Sequence, residues 1–416
     1  MDTRRCQECR AEIPATPGYP EWCDECGWNL KPPPAHEEDR GRFAQLARAL
    51  GRRGGDRLAR ELLEARALKP RWTPARIAAY AIAIAVHLFT LALIVAGIAA
   101  ILSDFPNVLA ILIGATLLGL GLVMRPRLGK PPERGHVVDA PALREVTANV
   151  AQALGGRPPD EIRIDGRWNA SWQAVGVPRR RILTLGLPLL AALEAQERVA
   201  LIGHELGHGR NGDSRRSVIV GSAVNGLDWL ADALRHGVSY ADADIGWIDW
   251  VSGGLMWLVS RPVDALLWLE AHLLLRDVQR AEYLADALAA RAAGSGAAIA
   301  LHERLLLYST FQLVVQQAAH ENAENVLDRL RISIQLIPDR ERERRRRVAR
   351  LEEARLDDTH PPTGMRIALL EQRAAEPPRV VLNEAQSRRI DAELETLVHR
   401  IDREMLDTYR DSLYYG

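Results

Sequence analysis

The chain has 416 residues, with 54 basic and 54 acidic side chains and a formal net charge of zero. That length leaves room for more than one domain, and the balanced charge argues against a nucleic-acid partner bound by bulk attraction. Abundant Ala and Leu, with Arg far ahead of Lys, point to a helix-rich protein.

The first element holds all four cysteines, as Cys6-x-x-Cys9 and Cys23-x-x-Cys26. Two such pairs can surround one metal ion tetrahedrally with thiolates, and a filled shell makes that zinc structural. Gly27 suits the tight turn of a zinc knuckle. Two disulfides in an oxidising compartment are the alternative; no stretch resembling a cleavable signal precedes the cysteines, which favours zinc. Residues 1–31 are therefore expected to form a zinc-ribbon module whose folding depends on metal. Residues 32–76 follow as a Pro-stiffened, Arg-rich linker. Its apolar positions Phe43, Leu46, Leu50, Leu58, Leu62 and Leu63 suggest an amphipathic helix, lying on anionic headgroups or standing free as a solvated spacer.

Residues 77–124 read as a transmembrane hairpin. Ile77 to Leu102 carries no formal charge and is long enough to cross a bilayer. A short turn at 103–107 leads to a second apolar run, Val108 to Met124, near the lower length limit. His87 lies inside the first span, where a neutral His bonded across the hairpin is expected. Basic residues flank both outer ends (Arg60, Arg66, Lys69, Arg71 and Arg76; then Arg125, Arg127 and Lys130), while the turn has none. Both ends are thus predicted to face the cytoplasm, in keeping with reduced thiolates at the N-terminus. The expected location is the cell (plasma) membrane, multi-pass.

The catalytic portion is expected over 131–375. Ala140 to Leu154 is a predicted helix. Glu161 to Ile164 and Trp168 to Val177 are strand-like, Pro178-Arg179 suits a turn, and Arg181 to Leu185 returns. A Leu-rich helix from Pro188 precedes a helix over Ala195 to Arg210. That helix holds His204-Glu205-Leu206-Gly207-His208. Residues four apart share a helix face, so both imidazoles can grip one Zn²⁺ and Glu205 can act as general base on water. A catalytic zinc takes three protein ligands and leaves one position open. The third ligand is expected downstream in Arg280 to Ala287, where Glu282 and Asp286 are again spaced i, i+4. Glu282 would bind the metal. Asp286 would accept from the free ring nitrogen of His204 or His208 and fix its tautomer. Between the two motifs, Val218 to Leu234 and Ile245 to Leu275 are apolar. Arg261, Asp264, Glu270 and Gly/Pro breaks argue for amphipathic helices there rather than clean spans.

His204, Glu205, His208, the Glu282–Asp286 helix, and Thr359-His360-Pro361-Pro362 followed by Arg366 together resemble the HtpX-like and CAAX-prenyl-protease group of membrane metallopeptidases. Asn169-Ala170 and the segment after it also fit the group's pattern. The resemblance covers roughly 137–370. It implies a gluzincin: a zinc endopeptidase with two His and one Glu on the metal, cleaving protein or peptide substrates. It further implies that His360 stabilises the tetrahedral intermediate, with Arg366 a candidate for the same region or for pairing with a carboxylate. A strand near Asn169 and Ala170 would pair with substrate backbone. Two zinc ions are expected, one catalytic and one structural.

The remainder reads as helix. Leu301 to Ile337 is soluble in character. Asp339 to Arg350 contains Arg344-Arg345-Arg346-Arg347, whose interleaved Glu favours a solvated helix or a headgroup contact over nucleic acid. Residues 376–416 form a final charged helix. The fold expectation is mainly α, gluzincin-like α+β, with a small hairpin or sheet beside the zinc helix, a transmembrane helical hairpin and an N-terminal zinc ribbon. Two rivals stand beside the endopeptidase: a non-catalytic membrane adaptor binding a protein through the ribbon, and an aminopeptidase using the same ligands. The strand edge, and the lack of an evident amine-binding acidic motif, favour the endopeptidase.

Overall fold

A computed structural model describes residues 3–31, 54–55, 57–64, 71–126, 135–176, 179–211, 217–236, 247–352 and 360–415. It is mainly helical, with two small sheets. The first 31 residues fold on their own scale. Strands β1 (Thr3–Arg5) and β2 (Glu12–Pro14) pair antiparallel, and the segment 23–28 closes beside them. Gly27 takes φ +73°, the left-handed conformation expected of a knuckle turn, and its N–H donates to the Cys23 carbonyl.

Helix α1 (Pro74–Ser103) starts where Thr73 accepts the Arg76 N–H and Pro74 pre-sets the backbone dihedral. Asn107 caps α2 (Val108–Val123) in the same way through the N–H groups of Leu109 and Ala110. The two helices pack closely through glycine. A Cβ at Gly97 would lie 2.7 Å from the Gly114 carbonyl oxygen, so only the bare backbone allows this approach. Their outer faces expose Leu88, Phe89, Leu91, Val95, Leu109, Leu112 and Ile113. Among the described residues α1 alone is long and apolar enough to cross a membrane; α2, at 16 residues, is shorter. His87 does not bond across this pair. Its Nε2 lies 2.9 Å from the Ile219 carbonyl and 3.3 Å from Ser222 Oγ, so it ties α1 to the segment after the zinc-motif helix.

The region beyond the hairpin opens with β3 (His136–Val137) and α3 (Pro141–Ala153). Strands β4 (Glu161–Asp165), β5 (Ala170–Val175) and β6 (Arg180–Gly186) complete a sheet of order β3-β4-β6-β5. The β4–β6 pair is parallel, the other two pairs are antiparallel, and β5 is an edge. Helix α4 (Leu187–Ala192) leads into α5 (Ala195–Arg210), which starts with a reciprocal capping box between Glu194 and Glu197. A π-helical turn at Ser217–Gly221 precedes α6 (Ser222–His236).

The predicted breaks in 245–275 do not occur. Helix α7 (Trp247–Ala293) runs for 47 residues with Pro262 inside it. Proline removes one backbone donor and strains the preceding turn. Neighbouring contacts bridge the defect: Asp264 accepts from Arg235 on α6 at 2.6 Å and from Arg261 at 2.8 Å. Helices α8 (Ser295–Leu305), α9 (Tyr308–Glu321), α10 (Val326–Gln335), α11 (Asp339–Leu351), α12 (Thr363–Gln372) and α13 (Glu384–Tyr415) complete the body. The final charged helix is amphipathic. Its Ile390, Leu394, Ile401, Met405 and Leu406 are buried in the same core as α3, the sheet, α4 and α5.

Two further segments pack on the body instead of standing free. Helical residues 57–64 are amphipathic, with Arg57, Arg60, Glu61 and Glu64 exposed and the apolar face packed on the body. Leu58 and Leu62 are buried with Tyr283 and Leu369, and Glu61 pairs with Arg280 at 2.5 Å. Residues 32–53 of that linker lie outside the described residues. The arginine run on α11 is likewise consumed within the chain. Arg344 and Arg345 hold Glu341, Arg345 donates to Thr310 at 2.9 Å, and Arg346 pairs with Glu303.

Candidate active site

Small residues bring the two motif helices together. On α5, a Cβ at Gly203 would meet Ala292 Cβ at 3.0 Å, and a Cβ at Gly207 would meet Ala285 Cα at 3.0 Å. Helices α5 and α7 thus cross almost backbone to backbone. Gly203 and Gly207 precede His204 and His208 by one residue each, so the close seam sets the depth of both imidazoles beside Glu282.

The donor atoms converge. His204 Nε2 lies 3.3 Å from His208 Nε2, and Glu282 places Oε2 3.6 Å from the first and Oε1 3.5 Å from the second. Bonds of about 2.0–2.1 Å in a tetrahedral zinc shell give ligand-to-ligand edges of about 3.4 Å. With one oxygen of Glu282, the three donors lie within 4.8 Å of one another and would supply three of the four positions of such a shell. Two imidazole nitrogens converging with a carboxylate at these distances are a donor set suited to zinc. The residues present fit a catalytic zinc.

Asp286 sits one turn along α7 and is 1% exposed. Its Oδ1 is 3.0 Å from His204 Nδ1, the ring nitrogen facing away from the triangle. Arg366 on α12 grips Asp286 with both arms of its fork, Nε to Oδ2 at 2.8 Å and Nη2 to Oδ1 at 2.6 Å, and lies 3.3 Å from Glu282 Oε2. Of the two roles open to Arg366, the geometry supports pairing with carboxylates. Burial would push the Asp286 carboxyl up, but the charge of Arg366 and the neighbouring His302 hold it well below the usual range. Burial likewise opposes ionisation of Glu282; His360, Arg366 and the two motif histidines outweigh it and hold that carboxyl at about 2. Glu282 is therefore ready as an anion to receive a cation, and Asp286 as an anion to hold His204.

One residue here carried no signal in the sequence. His302, on α8, is 1% exposed, and its Nε2 lies 3.0 Å from Asp286 Oδ1. Burial lowers its pKa against the pull of the facing Asp286 carboxylate, and Nε2–H is the donor to Oδ1. No motif spacing marks it, because α8 reaches Asp286 through tertiary packing alone.

The remaining predicted residues fall around this centre. Glu205 is buried on α5 beside His204. His360 has 69% of its side chain exposed and places Nδ1 3.1 Å from Glu282 Oε2, at the mouth of the site; Thr359 before it lies outside the described residues. Asn169 immediately precedes the edge strand β5, and its carbonyl accepts the Gly186 N–H. Ala170 opens β5, opposite Leu185. That strand lies against the zinc-motif helix: a Cβ at Gly209 would strike the Trp172 indole at 2.7 Å.

The cysteines form a second centre. Cys6 and Cys26 sulfurs are 3.6 Å apart and those of Cys9 and Cys23 are 3.5 Å apart, with all four within 4.8 Å of one another. Zinc–sulfur bonds of about 2.3 Å imply tetrahedral edges of about 3.8 Å, so this set fits a closed thiolate shell. Among the described residues these two clusters place three or more ligand atoms in such reach.

A family model for peptidase family M48 matches residues 139–374, more than half of the 416-residue chain. The chain belongs to peptidase family M48. The match begins just before α3 and ends just after α12. The M48 region therefore contains the donor triangle, Asp286, His302, His360 and Arg366, while the ribbon, the α1–α2 hairpin and α13 fall outside it. Membership makes the protein a metallopeptidase, and M48 peptidases are zinc-dependent, in agreement with the donor set. No curated protein matches this M48 peptidase significantly.

Proposed function

We propose that this M48 peptidase is a membrane-anchored, zinc-dependent endopeptidase that hydrolyses peptide bonds of protein substrates at the cytoplasmic side of the cell membrane. The observation that carries the proposal is the convergence of His204, His208 and Glu282, whose three ligand atoms lie within 4.8 Å of one another.

His204, His208 and Glu282 would hold the catalytic ion, and Cys6, Cys9, Cys23 and Cys26 a structural one. A zinc ion bound in the triangle supplies Lewis acidity, polarising the scissile carbonyl and acidifying water. Glu205, next to His204 on the same helix, takes the proton from the attacking water and passes it to the leaving amine nitrogen. Asp286 orients His204 from behind, and Arg366 locks Asp286 in place. His360, exposed at the mouth, donates to the developing oxyanion once substrate displaces it from Glu282. The edge strand β5 offers unpaired backbone groups from Ala170 onward, with Asn169 at its start, to an extended peptide by β-augmentation. A peptide held along its length by a strand edge need not present a terminus, which supports an endopeptidase over an aminopeptidase.

Anchoring rests on the α1–α2 hairpin and its outward Leu, Ile, Val and Phe side chains. Contiguous apolar surface of this size is a lipid- or protein-contact signature. At the start of α1, Arg76 stacks on Trp72 at 4.7 Å and on Tyr80 at 5.8 Å, the aromatic and basic mixture favoured at a membrane interface. The basic flanks support a cytoplasmic position for this end and for the peptidase body.

Glu205→Gln tests the assignment. The variant keeps both zinc ions and the fold, and its turnover of an unfolded protein substrate falls about 10²–10⁴-fold, the usual weight of a general base. Turnover equal to wild type, with zinc in place, would remove Glu205 from the mechanism.

A further inference from the structure

The ribbon is seated on the arginine helix. Arg340 and Arg347 lie seven residues apart on α11 and so present one helical face. Their guanidinium carbons lie 4.5 Å and 5.0 Å from the Trp22 ring centre, and Trp22 is 2% exposed. Arg340 also donates to the Trp22 carbonyl at 2.6 Å and pairs with Asp24 at 2.8 Å; Arg347 donates to the Asp24 carbonyl at 2.9 Å. Trp22 and Asp24 are the two neighbours of Cys23. The ribbon side chains that make the contact are therefore positioned by a residue of the metal shell.

The other end of α11 reaches the active site through backbone contact. A Cβ at Gly364, near the start of α12, would overlap the Ala349 carbonyl of α11, so the two helices touch with no side chain between them. Arg350 on α11 also pairs with Glu371 on α12 at 3.2 Å. Two residues after Gly364 stands Arg366, which clamps Asp286 and contacts Glu282. A displacement of α11 must move α12, since a close-packed contact transmits rather than absorbs a shift.

We propose that the metal-loaded ribbon is a cis-acting clamp: its Trp22–Asp24 edge binds the Arg340–Arg347 face of α11 and so fixes α12, and with it Arg366, against Asp286 and Glu282. The partner of the ribbon is the peptidase body of its own chain. Arginine suits the task, because its flat cation can stack on an indole while its N–H groups reach a carbonyl and a carboxylate. The proposal depends on the peptidase reading only for the consequence at Arg366.

The test is hydrogen–deuterium exchange read by mass spectrometry on the full-length, detergent-solubilised protein. Three variants are compared with wild type: Cys23→Ser with Cys26→Ser, which empties the ribbon; Arg340→Ala with Arg347→Ala, which leaves the ribbon intact and removes its seat; and the latter combined with Trp22→Ala. Each is expected to raise exchange about tenfold in 339–351 and again in 363–372. Adding Trp22→Ala to the arginine pair should give no further increase, because the residues form one contact. Wild-type exchange in 339–351 after the ribbon metal is lost would overturn the clamp. So would a rise confined to 339–351 with 363–372 unchanged. Because exchange is read without any cleavage assay, an inactive Glu205 reading and a failed clamp are told apart.

Discussion

The two candidate metal centres of this protein are built in opposite ways. The thiolate centre draws four identical donors from a 21-residue window, Cys6 to Cys26, held by two short strands and a knuckle. The zinc-motif centre draws two donors from α5 and a third from a residue 74 positions beyond His208, on a different helix. A local centre can form wherever its loop folds around metal. A long-range centre exists only when the body has packed, here through Gly203 and Gly207 against Ala285 and Ala292. Four thiolates would close a shell and hold the chain together; three donors would leave a position open for chemistry.

Separate emptying of the two centres is the strongest way to break this comparison. His208→Ala should leave one zinc per chain, abolish proteolysis and keep the ribbon folded. Cys9→Ser with Cys26→Ser should also leave one zinc, retained in the peptidase body. Elemental analysis of purified protein reads both, and a single substitution that emptied both centres would show them to be interdependent. His302 offers the next largest effect. His302→Leu removes a donor from Asp286 and should weaken zinc binding at the catalytic centre about 10–100-fold, measured by competition with a chromogenic chelator. His302→Gln, which can return an N–H to the same oxygen, should recover most of it. Equal losses in both variants would make His302 a packing residue. Gly207→Ala sharpens the role of the helix seam. Its new methyl meets backbone 3.0 Å away, so it should cost about 1–3 kcal/mol of stability and lower zinc affinity at the catalytic centre while the ribbon keeps its metal.

The smallest effect lies far from both centres and serves as a control. Asp402 on α13 is 1% exposed, and burial raises its carboxyl to about 6 in spite of the N–H groups of Leu327 and Val326. The folded protein thus holds this proton more tightly than the unfolded chain, whose carboxyl titrates near about 3.9. The linked stability is complete below about pH 4 and is lost as pH rises through about 6. Asp402→Asn keeps the acceptor without the charge. It should flatten that slope and raise stability at pH 7 by about 1–2 kcal/mol in chemical unfolding, with zinc content untouched.

Much of the site could be read from spacing alone. A helix repeats every 3.6 residues, so His204 and His208, and separately Glu282 and Asp286, had to share a face wherever the helices went. The bounds of α5 and the strand–turn–strand order beside it follow from equally local rules of capping and alternation. The breaks expected in α7 failed because proline cost is local, while α6 and α7 share an ion-pair network across the defect. The arginine run misled for a related reason: interleaved charge describes a solvated helix and an internally paired one equally well.

What the sequence determined by itself was therefore the chemistry of each donor and the geometry within a single turn or loop: the closed thiolate set, the paired imidazoles, the acidic pair, the apolar hairpin. Tertiary structure decided which of those local units meet. It brought Glu282 beside two imidazoles, brought His302 and Arg366 onto one carboxylate, left β5 at an edge of the sheet, and placed the ribbon on α11. The physical reason is range. Helical repeat and loop closure act over a few residues and leave a periodic trace, whereas close packing acts between surfaces whose residues are scattered along the chain and leave no period to read.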